Sequence, residues 1–205
     1  MEYFLTEEQQ MIQELAARIA DERVKPVAAE LDEKGEFPWE IMKVLAESDL
    51  FGVWLPEEYG GLGGGIFEQV LVVEELSRAC SGVAVSYAAS GLGSFPTEEQ
   101  KQKFLPDVAS GTKLAAFGLT EANAGSDASA IETTATLDGD HYVLNGTKQW
   151  ITNGGEADIY TVIAMTNRSR GSRGASAFIV EKDTPGFSFG KKENKMGIRA
   201  SATRE

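Results

Sequence analysis

The side chains best suited to binding chemistry sit in two short stretches. The first is Phe117-Gly-Leu-Thr-Glu-Ala-Asn-Ala-Gly-Ser-Asp127. It opens apolar from Leu114 to Leu119, as a buried strand does. It then breaks into small residues with two hydroxyls, Thr120 and Ser126, and with Gly125. A strand end that runs into a tight loop leaves backbone N–H groups free to face an anion. The second stretch is Lys148-Gln-Trp-Ile-Thr-Asn-Gly-Gly155, where a large aromatic stands beside a hydroxyl and the chain then turns on two glycines. Together the two suit a flat, hydrogen-bonding, phosphate-bearing cofactor. Taken singly, each also reads as an ordinary strand-turn unit.

The elements that must hold these stretches change character along the chain. Thr6-Glu-Glu-Gln9 has capping-box spacing. Met11, Ile12, Leu15, Ile19 and Val24 then recur at helical intervals, with Pro26 kinking or ending the helix. A second helix is predicted from Trp39 to Glu47, with Ile41, Met42, Val44 and Leu45 inward. Leu50 to Leu55 is a short apolar connection. Gly60-Gly-Leu-Gly-Gly-Gly65 resembles a phosphate cradle but lacks the Gly-Lys-Ser/Thr ending, and reads as a flexible loop. Ile66–Ala79 and Ser81–Ser90 read as buried helices, and Thr97-Glu-Glu-Gln100 starts another that carries Phe104 and Leu105.

Beyond Gly111 the pattern becomes β. Thr133–Leu137 and Tyr142–Asn145 flank Asp138-Gly-Asp140, a hairpin signal. Ile159–Met165 and Ala175–Val180 are apolar and β-prone, with a loop at Arg168–Gly174. Phe187 and Phe189 alternate with small residues as in a strand. The expectation is an α+β multidomain chain: an all-α helical domain over residues 1–113, then a small all-β barrel or sandwich over 114–205.

Composition narrows the function. The 205 residues carry a net charge of −13. Residues 1–113 hold 9 basic and 21 acidic side chains. Such a surface argues against nucleic acid as a partner, because phosphate contacts need basic residues. One cysteine, Cys80, and one histidine, His141, leave no disulfide framework, no metal cluster and no His-based triad. No apolar run approaches the ~20 residues that span a bilayer. The acidic start lacks the form of a signal peptide, so a cytoplasmic location is expected.

The chain resembles the acyl-CoA dehydrogenases over essentially all of its length. The resemblance rests on Leu5-Thr-Glu-Glu-Gln9, Pro56-Glu-Glu-Tyr-Gly-Gly-Leu-Gly63, Glu98-Glu-Gln-Lys101 with Leu105-Pro106, and Leu119-Thr-Glu121 with Ala124-Gly-Ser-Asp127. It rests further on Asn145-Gly-Thr-Lys148, Trp150-Ile-Thr-Asn-Gly154 and Met196-Gly-Ile-Arg199. It implies a helical domain, a middle β-barrel and a C-terminal four-helix domain. It implies FAD as cofactor and oxidation of an acyl-CoA thioester to the 2,3-enoyl-CoA. In that reaction a carboxylate base takes the α-proton, the β-hydrogen leaves as hydride to flavin N5, and electrons pass on to an electron-transferring flavoprotein. The parent is expected to be a homotetramer.

Carried over by position, Phe117, Leu119 and Thr120 belong to the flavin-contacting strand and loop, with Thr120 on the pyrimidine edge. Gly125 and Ser126 approach the pyrophosphate, and Ser126 also meets the substrate. Trp150, Ile151 and Thr152 lie against the flavin ring, with Thr152 near N5. Ser172 aligns loosely with a position that contacts CoA. Donor hydroxyls at Thr120 and Thr152 favour charge where it develops on a reduced flavin. Glu121 is expected to be structural and Asp127 to cap a loop, so neither is taken as the base.

The sequence departs from the family pattern in two places. It ends at Arg204-Glu205 where the family continues, so the C-terminal domain and its glutamate base are expected to be missing. The piece alone is then expected to be inactive. Gly93-Ser-Phe-Pro-Thr97 also looks about five residues short. An acyl-CoA oxidase or other flavoprotein of the same superfamily, or a non-catalytic cofactor- or partner-binding fragment, remain alternatives.

Overall fold

Local chemistry sets several of the boundaries in the computed structural model, which describes residues 4–93 and 95–205. The Thr6 hydroxyl accepts from Gln9 N, and the Gln9 side chain answers the Thr6 backbone, closing the capping box of α1, Glu7–Ile19. Thr97 and Gln100 repeat the arrangement at the start of α6, Glu98–Ala109. Each box satisfies two N–H groups that a helix start otherwise leaves unpaired. The shortened connection expected at 93–97 includes Ser94, which lies outside the described residues.

α1 does not run straight into Pro26. It widens into a π-helical turn at Ala20–Val24, and Lys25 N donates to Ala20 O at 2.9 Å. A short helix follows, α2 at Ala28–Lys34, ended by Gly35 at φ +65°. The sequence reading has no helix here. α2 has no fully buried residue, so it shows little apolar periodicity. α3 covers Trp39–Glu47 as expected, α4 covers Ile66–Ala79 and α5 covers Ser81–Ala89. Among the described residues no helix is long and apolar enough to cross a membrane.

The Gly60–Gly65 segment is a packed turn rather than a flexible loop or a phosphate cradle. The N–H groups of Leu62 and Gly63 are used by Gly52 O at 2.9 Å and Leu55 O at 2.8 Å. A Cβ on Gly61 would run into the Leu55 carbonyl, so glycine is there for close approach of backbone to backbone.

Five residues separate the end of α6 from the first strand. β1, Ala115–Gly118, pairs in parallel with β5, Ile159–Met165. β2, Thr134–Asp138, and β3, His141–Asn145, form the expected hairpin around Gly139 at φ +63°. β6, Ala175–Glu181, runs antiparallel along the whole of β5. The sheet order is β1-β5-β2-β3 with β6 on β5, and β4, Ile151–Thr152, pairs separately with β7, Thr203–Arg204. Helices followed by sheet is the expected class. The sheet is mixed, and it carries 3-10 turns at Ala128–Ala130 and Arg168–Gly174. Phe187 and Phe189 are not in a strand. They pack their rings on Tyr160 at 4.9 and 5.3 Å, so burial of aromatic area explains their alternation.

One buried cluster joins the helices to the sheet. It includes Ile19, Leu45, Val72, Leu76, Val83 and Tyr87 from the helical part, with Leu114, Ala116 and Ile151 from the sheet part. Tyr87 is fully buried, and its hydroxyl donates to Leu50 O at 2.8 Å. This shared core fixes β1 and β4, the two strands that carry the candidate site, against α5.

Candidate functional site

The two singled-out stretches lie side by side, tied through backbone groups. Gln149 N donates to Thr120 O at 2.8 Å, so the residue before Trp150 is bonded to the strand end. The Lys148 ammonium donates to Leu119 O at 3.0 Å and to Glu121 Oε1 at 2.6 Å. Phe117 is half-buried on β1 opposite Thr161. Leu119 and Thr120 are half-buried, and Gly125 and Ser126 are exposed.

Trp150 has φ +61° and is 59% exposed. A bulky side chain in the left-handed region is uncommon and costs about 1–3 kcal/mol, so the surroundings must impose it. The turn swings the indole into solvent while Ile151 goes to the core and Thr152 stays half-buried. Asn153 imposes the geometry. It is fully buried at φ +61°, and its Nδ2 donates to Ser86 O of α5 at 2.8 Å and Ala115 O of β1 at 3.3 Å. Its backbone N donates to Ala202 O at 3.0 Å, beside β7. One asparagine therefore anchors Trp150–Thr152 to α5, to β1 and to the residue before β7. Asparagine tolerates this backbone region better than most residues.

Glu121 is held as a structural carboxylate. It is 6% exposed and accepts from Lys148 Nζ, Glu132 N and Thr133 N. Burial opposes its ionisation, but the bonds from Lys148, Thr133 and Glu132 outweigh that and hold its pKa at about 2. Such a carboxylate is a poor proton acceptor near neutrality. Asp127 Oδ1 accepts from Ser129 N at 3.1 Å, capping the short 3-10 turn. Both side chains do what the sequence led us to expect: Glu121 is bonded into the structure and Asp127 caps a turn.

The residues present fit a phosphate-bearing cofactor. An added Cβ at Gly125 would meet nothing within 4 Å, and Gly125 is not at positive φ. The fold therefore does not require glycine there, and the space beside it is open to a molecule outside the chain. Among the described residues nothing is bonded to the N–H groups of Gly125 and Ser126 or to the hydroxyls of Thr120 and Thr152. Unbonded backbone N–H groups in a loop are available to an anion.

Ser172 lies apart, exposed in the Arg168–Gly174 turn, where it shares with Leu119 the lining of a pocket of about 220 Å³. A larger open groove of about 950 Å³ runs over the sheet past Tyr160 and Phe187, taking in Lys148 and Ile151 but neither Thr120 nor Trp150. His141 is exposed beside Asp140. Among the described residues no group of three or more His, Cys, Asp or Glu side chains could hold a metal ion.

Reading by sequence assigned no part to Lys148 or Asn153. Lys148 meets a partner 27 residues away, and Asn153 reaches 67 residues back to Ser86, so no local spacing reveals either bond. The positive φ at Asn153 fits its Asn-Gly-Gly context, the one signal available.

Comparison with known proteins places this geometry among relatives. The family description "Acyl-CoA dehydrogenase, N-terminal domain" matches residues 6–112, and "Acyl-CoA dehydrogenase, middle domain" matches 116–205. The short-chain-specific acyl-CoA dehydrogenase of Clostridium acetobutylicum is 47% identical, covering 100% of this chain and 56% of that protein. A solved chain from work on the electron transferring flavoprotein of Acidaminococcus fermentans superposes with TM-score 0.95 at 47% identity, covering 100% of this chain and 55% of that one. An acyl-CoA dehydrogenase from Bacillus anthracis, solved with FAD, gives TM-score 0.87 at 43% identity, covering 98% and 36%. The chain spans about half the length of the curated relatives it matches.

Proposed function

The chain belongs to the acyl-CoA dehydrogenase family, and on that premise we propose that residues 1–205 form the flavin-holding part of a FAD-dependent acyl-CoA dehydrogenase. The observation that carries the reading is the Gln149–Thr120 bond, which sets an exposed, strained Trp150 beside a loop whose Gly125 faces open space. The domain division is placed between residues 113 and 114.

In this reading Phe117, Leu119 and Thr120 face the cofactor from β1 and its end. The Thr120 hydroxyl donates to the ring's pyrimidine edge and the Thr152 hydroxyl to its central nitrogen. Gly125 and Ser126 offer N–H groups to the pyrophosphate. Trp150 covers the ring and excludes water, with Ile151 backing it from the core. Ser126 and Ser172 meet the CoA thioester. FAD, when bound, supplies the two-electron acceptor for α,β-dehydrogenation of an acyl-CoA. Donors aimed at the ring favour its reduced, charged form.

The substrate is a short-chain acyl-CoA, by analogy with the Clostridium acetobutylicum relative. Electrons pass on to an electron-transferring flavoprotein in the cytoplasm. We take the base to lie outside these residues, a reading supported by Glu121, the buried carboxylate beside the site, being bonded to Lys148, Glu132 N and Thr133 N. Ile66, Phe67 and Val70 on α4 are 66%, 52% and 49% exposed, and they offer an apolar face to a further helical domain of a homotetrameric parent. An anaerobic titration of the FAD-loaded chain with butyryl-CoA tests the assignment of the base. The flavin's visible band should persist. Bleaching by substrate would put a working base within residues 1–205 and overturn that part of the proposal.

A further inference from the structure

The loop that carries Gly125 and Ser126 has little of its own to hold it. Between residues 122 and 131 only Ala124 and Ile131 are buried. Burial of one alanine and one isoleucine against Met165 is a weak constraint against the conformational freedom of ten residues. The ends of the loop are nonetheless drawn together. Glu121 accepts from the N–H groups of Glu132 and Thr133 at the far end, and Lys148 reaches in to bind Glu121 and Leu119 O at the near end. Both side chains are nearly buried, at 10% and 6% exposed. Their partners are all backbone groups of this neck or each other, and they add nothing to the joint between helices and sheet. Lys148 stands two residues before Trp150, so the same ammonium that closes the loop also fixes where the Trp150–Thr152 segment begins.

A buried ion pair is a poor way to gain stability, since desolvation offsets most of the attraction and apolar residues often serve as well. Its use in holding a unique register is better attested. We infer that Lys148 and Glu121 form a positioning pair, a clasp that closes the neck of the 119–133 loop and sets the spacing between its anion-facing N–H groups and the Trp150–Thr152 wall. The inference rests on the flavin reading of the site for its ligand, but the clasp itself is a property of the unliganded chain.

The test uses Lys148→Met, Lys148→Arg and Glu121→Gln, each shown folded by circular dichroism at the assay temperature. FAD affinity is measured by equilibrium dialysis. Lys148→Met should weaken FAD binding about tenfold or more, while Lys148→Arg, which keeps the cation and its donors, should stay within about threefold of the unaltered chain. Glu121→Gln, which keeps one acceptor oxygen, should fall between them. A folded Lys148→Met chain that binds FAD as well as the unaltered one would overturn the inference and leave the pair a merely structural feature. If the unaltered chain takes up no FAD, the flavin reading fails for this chain, and hydrogen exchange judges the clasp. The hydrogen-bonded loop amides of Ala124, Ser129 and Ala130 should then exchange about tenfold or more faster in Lys148→Met with α1 unchanged. Unchanged exchange in that loop would overturn the clasp.

Discussion

Replacing Asn153 should separate two costs that the structure combines in one residue. Asn153→Ala removes both donated bonds and leaves the carbonyls of Ser86 and Ala115 short of a partner in a buried place. Unpaired buried groups cost about 1–3 kcal/mol. Alanine must also adopt φ +61°, a left-handed conformation that costs about 1–2 kcal/mol for a residue with a Cβ. The sum is a loss of about 2–5 kcal/mol. Asn153→Gly removes the same bonds but adopts the backbone freely, so it should be about 1 kcal/mol more stable than the alanine variant. Urea unfolding with an unchanged m value reads both differences from the midpoints. A loss under about 1 kcal/mol for alanine would refute the anchoring role. A glycine variant no more stable than the alanine one would refute the backbone argument.

Three further outcomes follow from the same structure. Gly125→Val should leave urea stability within about 0.5 kcal/mol, since its side chain meets open space, yet abolish FAD binding. Gly61→Ala should cost about 2 kcal/mol or more in the same assay, because its Cβ runs into the Leu55 carbonyl. Glu121 titrates at about 2 in the folded chain against 4.5 unperturbed, so its ionised form stabilises the fold above pH 4.5, and that stabilisation is lost as pH falls toward 2. By pH ~3.5 roughly 1 kcal/mol of it should be gone, seen as a steeper acid loss in the unaltered chain than in Glu121→Gln.

Features written in local spacing were legible in the sequence. The capping boxes at Thr6 and Thr97, the helix at Trp39–Glu47 and the hairpin around Gly139 each need only a few neighbouring residues. The misreadings have tertiary causes. α2 was invisible because it buries none of its residues fully. Phe187 and Phe189 imitate a strand while packing on Tyr160. Gly60–Gly65 looks flexible by composition, yet Gly61 and Gly64 serve close contact with Leu55 and Val53. The same holds at the site. Thr120, Gly125, Trp150 and Thr152 were singled out from residue type and order. Asn153 and Lys148, which hold them in place, act across 67 and 27 residues.

The most direct test of the account is FAD binding by the 205-residue chain, followed in the flavin's visible spectrum, with Gly125→Val alongside. The account predicts a perturbed, protein-bound flavin spectrum that is lost in the variant while its fold stays intact. A folded chain that leaves added FAD free in solution, or a Gly125→Val chain that binds it equally well, would contradict the assignment of these two stretches as the cofactor site.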